Sequence, residues 1–475
     1  MSSPIIIMKT GLLTFRDIDF TFVLEDDSLH LIPPKDKHNI IHYEWFMREL
    51  GDGAYAPADP IPVDEPQLIG RCSETGQKII FIPAQGSHLS FHNHKVIIDI
   101  AAYVEFRVGA NVVDRAEFAC PELNYIYRVN KGLTYTLGPE VDNNGVISVN
   151  TPDYEHTTSE SQTFEAFGKQ VAMSYGVTRT VKFGITQTPL KLSSSMVFDF
   201  EATDDFPFIL NLYRVALNFI RFCCYRDNIY IPAVSLSSPY KGTTHLNVAT
   251  LFVFNRSNAA SEDELKKGRV IRQEYLSGKE GAILEDIANN LLYMRHWPDS
   301  YESGRTITEA RFVMITAAFE WEFRRLYPDG VKHSKKTKDA EDRVIDRLTE
   351  LKDQATSKER SIYKGLIGYV RNDSLQSEIT QAGKDFADII TDFGDLLYHM
   401  NGEELNYNDM GLRLSMQRND FAHGNLGKDF IGLAFLDLVF MERIIYAMQL
   451  KYYGVDDINI RKAINELFNC GLRIE

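Results

Sequence analysis

Two periodicities divide the chain. Up to about residue 200, short apolar runs at 4–7, 12–15, 20–24, 78–82, 95–100, 104–108, 177–183 and 196–200 are rich in Val, Ile, Leu and Phe. Turn residues separate them, as in Gly109-Ala110-Asn111 and Asp142-Asn143-Asn144-Gly145. Runs of this length and spacing predict strands joined by tight turns. Many short strands together predict a β-sandwich-like domain over 1–203, with one short helix near 43–50. From residue 308 the period lengthens: Phe312, Ile315, Phe319, Phe323 and Leu326 make one helical stripe, stopped by Pro328-Asp329-Gly330. Further helices are predicted over 340–351, 361–369, 382–400, 409–422, 426–453 and 457–470, so 305–475 reads as an all-α bundle. Between the two, 206–225 predicts a buried helix, 226–250 strand and loop, and 262–271 and 278–295 helices. Residues 204–304 are therefore expected to form a connecting, mostly helical region, and the whole an α+β multidomain protein.

Composition narrows this. The 475 residues are 44% hydrophobic and 25% charged, an ordinary globular balance. The five cysteines are odd in number and scattered without a CxxC, which predicts reduced thiols and a cytoplasmic setting. The N-terminal apolar run is too short for a signal peptide. Residues 430–450 carry Asp437, Glu442 and Arg443, so they predict a buried helix, not a membrane span. The net charge of −15 argues against a broad basic coat for nucleic acid, although residues 305–475 are nearly balanced, with 24 Lys and Arg against 28 Asp and Glu. One local basic cluster stands out, Lys332-His333-Ser334-Lys335-Lys336-Thr337-Lys338, expected in a loop. Lys335, Lys336 and Lys338, with Lys428, are the candidates for contact with RNA phosphates. His88, His92 and His94 share a strand face without the further ligands a zinc site needs. No nucleotide-loop, GxSxG or HExxH pattern is present, and neither metal nor cofactor is expected.

The chemistry-bearing string is Gln417-Arg418-Asn419-Asp420-Phe421-Ala422-His423-Gly424. His423 is alone among the twelve histidines in having an arginine five to seven residues upstream. The string closes a predicted helix, where Gly424 can supply a left-handed cap. A helix C-terminus favours the imidazolium, so His423 there can both accept and donate a proton near neutral pH. Residues five apart lie about 140° apart around a helix at roughly 100° per residue. Arg418 and His423 therefore cannot share one helical face: either the last turn deforms, or, the reading favoured here, two chains meeting about a two-fold axis bring both to one cleft. Such a set suits RNA cleavage without metal. A histidine moves protons at the 2′-OH and the 5′-oxygen leaving group, and an arginine holds the phosphoryl oxygens as charge develops. The products would be 2′,3′-cyclic phosphate and 5′-OH ends. Glu320, beside the Phe319 stripe, is a candidate partner for Arg418, and Asp420 is another.

This string, inside a C-terminal helical bundle, resembles the Arg-x4–6-His signature of the HEPN superfamily, most closely its Apea-like branch. The β-rich first half is similar in layout to the domain joined to that bundle in ApeA-type anti-phage proteins. The resemblance implies a homodimeric, metal-independent endoribonuclease of bacterial defence acting on RNA, with tRNA one candidate, and a β-domain that senses a phage-derived trigger. It implies catalytic roles for Arg418 and His423 and a supporting role for Asn419. The alternative is a HEPN module that binds RNA or protein without cleaving.

Overall fold

The computed structural model describes residues 8–137, 147–151, 157–182, 184, 190–242, 244–254, 259–422, 430 and 432–474. The chain forms two compact units: 1–221 with 228–266 and 280–289, and 222–227 with 267–279 and 290–475. Residues 204–304, expected as a region of their own, are instead divided between the two. The reason is that their apolar runs complete neighbouring cores and do not build a third.

The first unit is β-rich. Strands β1 (Met8–Phe15), β2 (Ile18–Glu25), β3 (Ser28–Ile32), β4 (Leu68–Cys72), β5 (Lys78–Pro83) and β6 (Lys95–Phe106) are joined in antiparallel pairs. The order β6-β3-β2-β1-β4-β5 closes because β5 pairs back onto β6. The sandwich expected from the strand pattern is thus replaced by a closed six-stranded circuit. Alternating burial, as in β4 (buried, exposed, buried, exposed, buried), says only that one face is inward. Closure depends on register, and β6 supplies it with an irregularity between Ile100 and Ala102. Phe20, Phe22, Phe81 and Tyr103 fill the interior. Helix α1 (His38–Phe46) adds Ile41, fully buried, and Trp45, edge-on to Phe15 at 5.9 Å. The helix expected near 43–50 ends early, and Met47–Gly51 is a strand. The strand expected at 4–7 lies outside the described residues.

Beyond β6 the same sheet runs on through β7 (Val113–Phe118), β8 (Gln162–Ala166), β9 (Lys169–Val181), β10 (Leu190–Thr203), β11 (Val234–Pro239) and β12 (His245–Val253), in the order β6-β12-β11-β7-β10-β9-β8. Helix α2 (Phe206–Cys224) covers it, with Phe206 edge-on to Phe106 at 5.8 Å and Phe208 edge-on to Phe200 at 5.7 Å. Helix α3 (Glu280–Ala288) covers the end strand β8, where the Glu285 carboxylate accepts the Glu165 backbone N–H at 3.1 Å.

The second unit is helical, built mainly from α4 (Glu309–Leu326), α5 (Lys335–Gln354), α6 (Ser357–Arg371), α7 (Leu375–Asp385), α8 (Ala387–His399), α9 (Tyr407–Ala422), α10 (Ala434–Tyr452) and α11 (Asp457–Leu467). One helix expected over 382–400 is two, α7 and α8, which meet at Phe386. The core is α10, buried on nearly every side. Its two buried carboxylates are paired: Asp437 takes Arg413 at 2.7 and 2.8 Å, and Glu442 takes Arg311 at 2.6 Å. Pairing meets the desolvation cost that would otherwise forbid these groups in a core. Among the described residues no helix is long and apolar enough to cross a membrane. None of the five cysteines forms a disulfide among the described residues, and Cys223 and Cys224 are buried.

Candidate functional site

Arg418 lies near the C-terminal end of α9, and three neighbours fix that helix. Helix α7 crosses it closely. A Cβ on Gly411 would stand 2.7 Å from the Gln376 backbone, and one on Gly383 would stand 2.4 Å from the Tyr407 ring. Glycine at both points permits the approach. Arg413 then clamps α9 to α10 through Asp437, which also accepts the Tyr398 hydroxyl from α8. Burial and the neighbouring Asp437 raise the Tyr398 phenol, in that order, and the Asp437 bonds hold the Arg413 guanidinium firmly charged.

Five residues further on, about 140° around the helix, Arg418 points to a different neighbour. It donates from Nη1 to Glu320 Oε1 at 2.6 Å and from Nη2 to Oε2 at 2.7 Å. Glu320 is on α4, with its side chain 13% exposed, while Arg418 is 32% exposed. This end-on fork uses one N–H from each Nη. A guanidinium has five N–H donors, so Nε–H and one N–H on each Nη lie outside it. Glu320 orients the arginine and leaves an edge of the fork with which it can grip an oxyanion.

A second carboxyl, missed in the sequence, lies within electrostatic reach of this pair. Glu378 on α7 is 5% exposed, and its Oε2 is buried with no hydrogen bond from the described residues. Burial, reinforced by the nearby Glu320 charge, pushes its carboxyl up to about 8, against the opposing pull of Arg324 and Arg418. That shift favours the neutral acid at pH 7. The expected helix began at 382, so Glu378 fell on a stretch assigned to no element. A signal was present in the sequence: Leu375, Ile379 and Ala382 set the helical period, and Glu378 interrupts their buried face.

Asn419 is exposed and Asp420 half-buried on the last turn of α9. His423 and Lys428 lie outside the described residues, as does Gly424. The basic cluster is a loop only over 332–334, and its lysines at 335, 336 and 338 are helical. Ser334 caps α5 by accepting the Thr337 N–H, and Lys335, Lys336 and Lys338 occupy its exposed first turn. Cations there oppose the helix dipole. Acids also balance the cluster. Lys338 borders an open cavity of about 670 Å³ whose wall includes Glu341, Asp342 and Asp373. There the His333 ring sits 2.9 Å from Asp373 and 3.4 Å from Glu341. Acidic side chains therefore stand beside this run of exposed lysines. Among the described residues no group of His, Cys, Asp and Glu could hold a metal ion. No protein-family model, curated protein or solved structure matches the chain.

Proposed function

We propose that the helical unit is a metal-independent endoribonuclease of the HEPN type, with Arg418 gripping the scissile phosphate and His423 moving the proton. The observation that carries this reading is the Glu320–Arg418 fork. It holds a partly exposed guanidinium in one orientation with N–H groups to spare, as stabilisation of a developing phosphorane charge requires. The part given to His423 rests on the sequence string alone. RNA supplies the nucleophile in its 2′-OH, and the products are 2′,3′-cyclic phosphate and 5′-OH ends. Two copies of the chain pair through the helical unit to complete the cleft. The β-rich unit receives the trigger, and the setting is cytoplasmic defence against phage, with tRNA one candidate substrate.

A second reading, a module that binds RNA or protein without cleaving it, is favoured by α6. That helix exposes Ile362, Leu366 and Tyr369 on one stripe, Tyr369 at 82%. Incubating total RNA with the purified chain in EDTA separates the two. Cleavage that persists in EDTA, leaves cyclic phosphate ends and disappears in both Arg418→Ala and His423→Ala supports the nuclease. RNA or protein binding that survives both substitutions, with no cleavage under any condition, supports the module.

A further inference from the structure

Glu378 has no counterpart among the roles assigned so far. Its surroundings come from three places: Glu320 and Arg324 on α4, Asp373 just ahead of its own helix, and Arg418 on α9. Two cations and two anions among these four cancel. An ionised Glu378 would leave the group of five with one net negative charge, beside the one guanidinium offered to a phosphodiester. It would also be a second carboxylate competing for the Arg418 N–H groups that Glu320 leaves over. Glu320 already has both its oxygens engaged with Arg418. The Glu378 Oε2, buried and without a hydrogen bond from the described residues, is the carboxyl atom still able to take one.

We propose that Glu378 is a positioning residue for Arg418, a second carboxyl that decides whether the guanidinium's remaining N–H groups stay turned to RNA phosphate or are drawn into the protein. This rests on the nuclease reading for the identity of the anion, but not for the coupling between Glu378 and Arg418. Protonated, Glu378 leaves the Glu320 fork alone and the site neutral. Ionised, it pulls on the same guanidinium and repels the phosphate. Burial with the Glu320 charge beside it sets the changeover near pH 8. Asp373 is tied to His333 and to the Val331 backbone N–H, so it is less able to turn towards Arg418.

Two readouts on the full chain test this. The first is the ¹⁵Nε–Hε resonance of Arg418, assigned by its loss in Arg418→Lys and followed from pH 6.5 to 9.5. It should shift with a midpoint near 8 in the wild type and stay still in Glu378→Gln. The second is affinity for a fluorescein-labelled single-stranded RNA in a His423→Ala background, where cleavage and histidine titration at that position are both removed. Affinity should fall about tenfold or more between pH 7 and 9.5, and less than twofold once Glu378→Gln is added. A resonance that does not move in the wild type, or moves equally in Glu378→Gln, overturns the positioning role. So does an RNA affinity that falls equally in both backgrounds. A resonance that titrates through Glu378 in a chain that binds no RNA at any pH keeps the coupling and removes the nuclease reading.

Discussion

At the scale of single residues, the site is one guanidinium held by one carboxylate and watched by another. Glu320→Ala removes the orienting partner and leaves Arg418 to rotate. Single-turnover RNA cleavage is expected to drop about 10- to 100-fold, the range that misplacement of a transition-state donor gives. Arg418→Lys should fall as far, because an ammonium cannot form the two-point fork. Far-UV circular dichroism should stay within error of wild type for both, since the pair is partly exposed. Glu378→Gln has a stability consequence that needs no substrate. The raised carboxyl means that the unfolded chain ionises Glu378 from its ordinary value near pH 4.5 upward, while the folded chain does so only near 8. Folding stability linked to Glu378 is therefore full below pH 4.5 and is lost as pH rises towards 8. The glutamine variant should be more stable than wild type at pH 7, on the order of 1–3 kcal/mol, and closer to it at pH 5. Denaturant unfolding of the helical unit at both values checks this.

At the scale of elements, the sequence made visible what lies along a helix and concealed what meets across two. The Phe312–Phe323 stripe and the buried acid-bearing α10 could be read from period alone. Glu320 was identifiable as a candidate because it sits beside that stripe, and Arg418 because the histidine string marks it. Glu378 and Arg413 were not, because each matters through a residue on another helix. The first unit shows the same limit. Its hairpin between β1 and β2 turns at Arg16 and Asp17, both with positive φ and neither glycine, so no turn signal announced it. Gly411 tests the α7–α9 crossing directly. Gly411→Ala puts a methyl 2.7 Å from backbone that cannot swing aside. A loss of about 1–3 kcal/mol is expected from overpacking. RNA cleavage should fall as well, since a displaced α9 carries Arg418 out of line with its orienting partner Glu320 on α4. Hydrogen exchange in peptides covering α7 and α9 should rise before that in α10.

At the scale of the whole molecule, the position of Arg418 on a continuous helix makes the proposed assembly testable. Helix α9 runs unbroken from Tyr407 to Ala422, and a helix continued by one residue would give positions 418 and 423 an offset of roughly 140°. On a helix continued that far, an arginine fixed by Glu320 on one face would not readily meet a histidine five residues later in the same protomer. In a two-fold pair, the arginine of one copy faces the histidine of the other. Arg418→Ala keeps its histidine, and His423→Ala keeps its arginine. Each is inactive as a homodimer. In a mixed dimer, one of the two clefts has both groups intact and the other has neither. Random exchange makes half the dimers mixed, with one working cleft in two, so an equimolar mixture should recover about a quarter of wild-type cleavage per chain. A cleft whose two groups come from one copy predicts no recovery, because no chain in the mixture carries both. Sedimentation of the wild type under the assay conditions shows whether a dimer forms. Exchange of differently tagged copies shows whether the mixing was complete. If the mixed sample stays inactive although tagged copies exchange freely, the shared cleft is excluded. Arg418 would then have to reach His423 within one chain, through a break in the helix after Ala422.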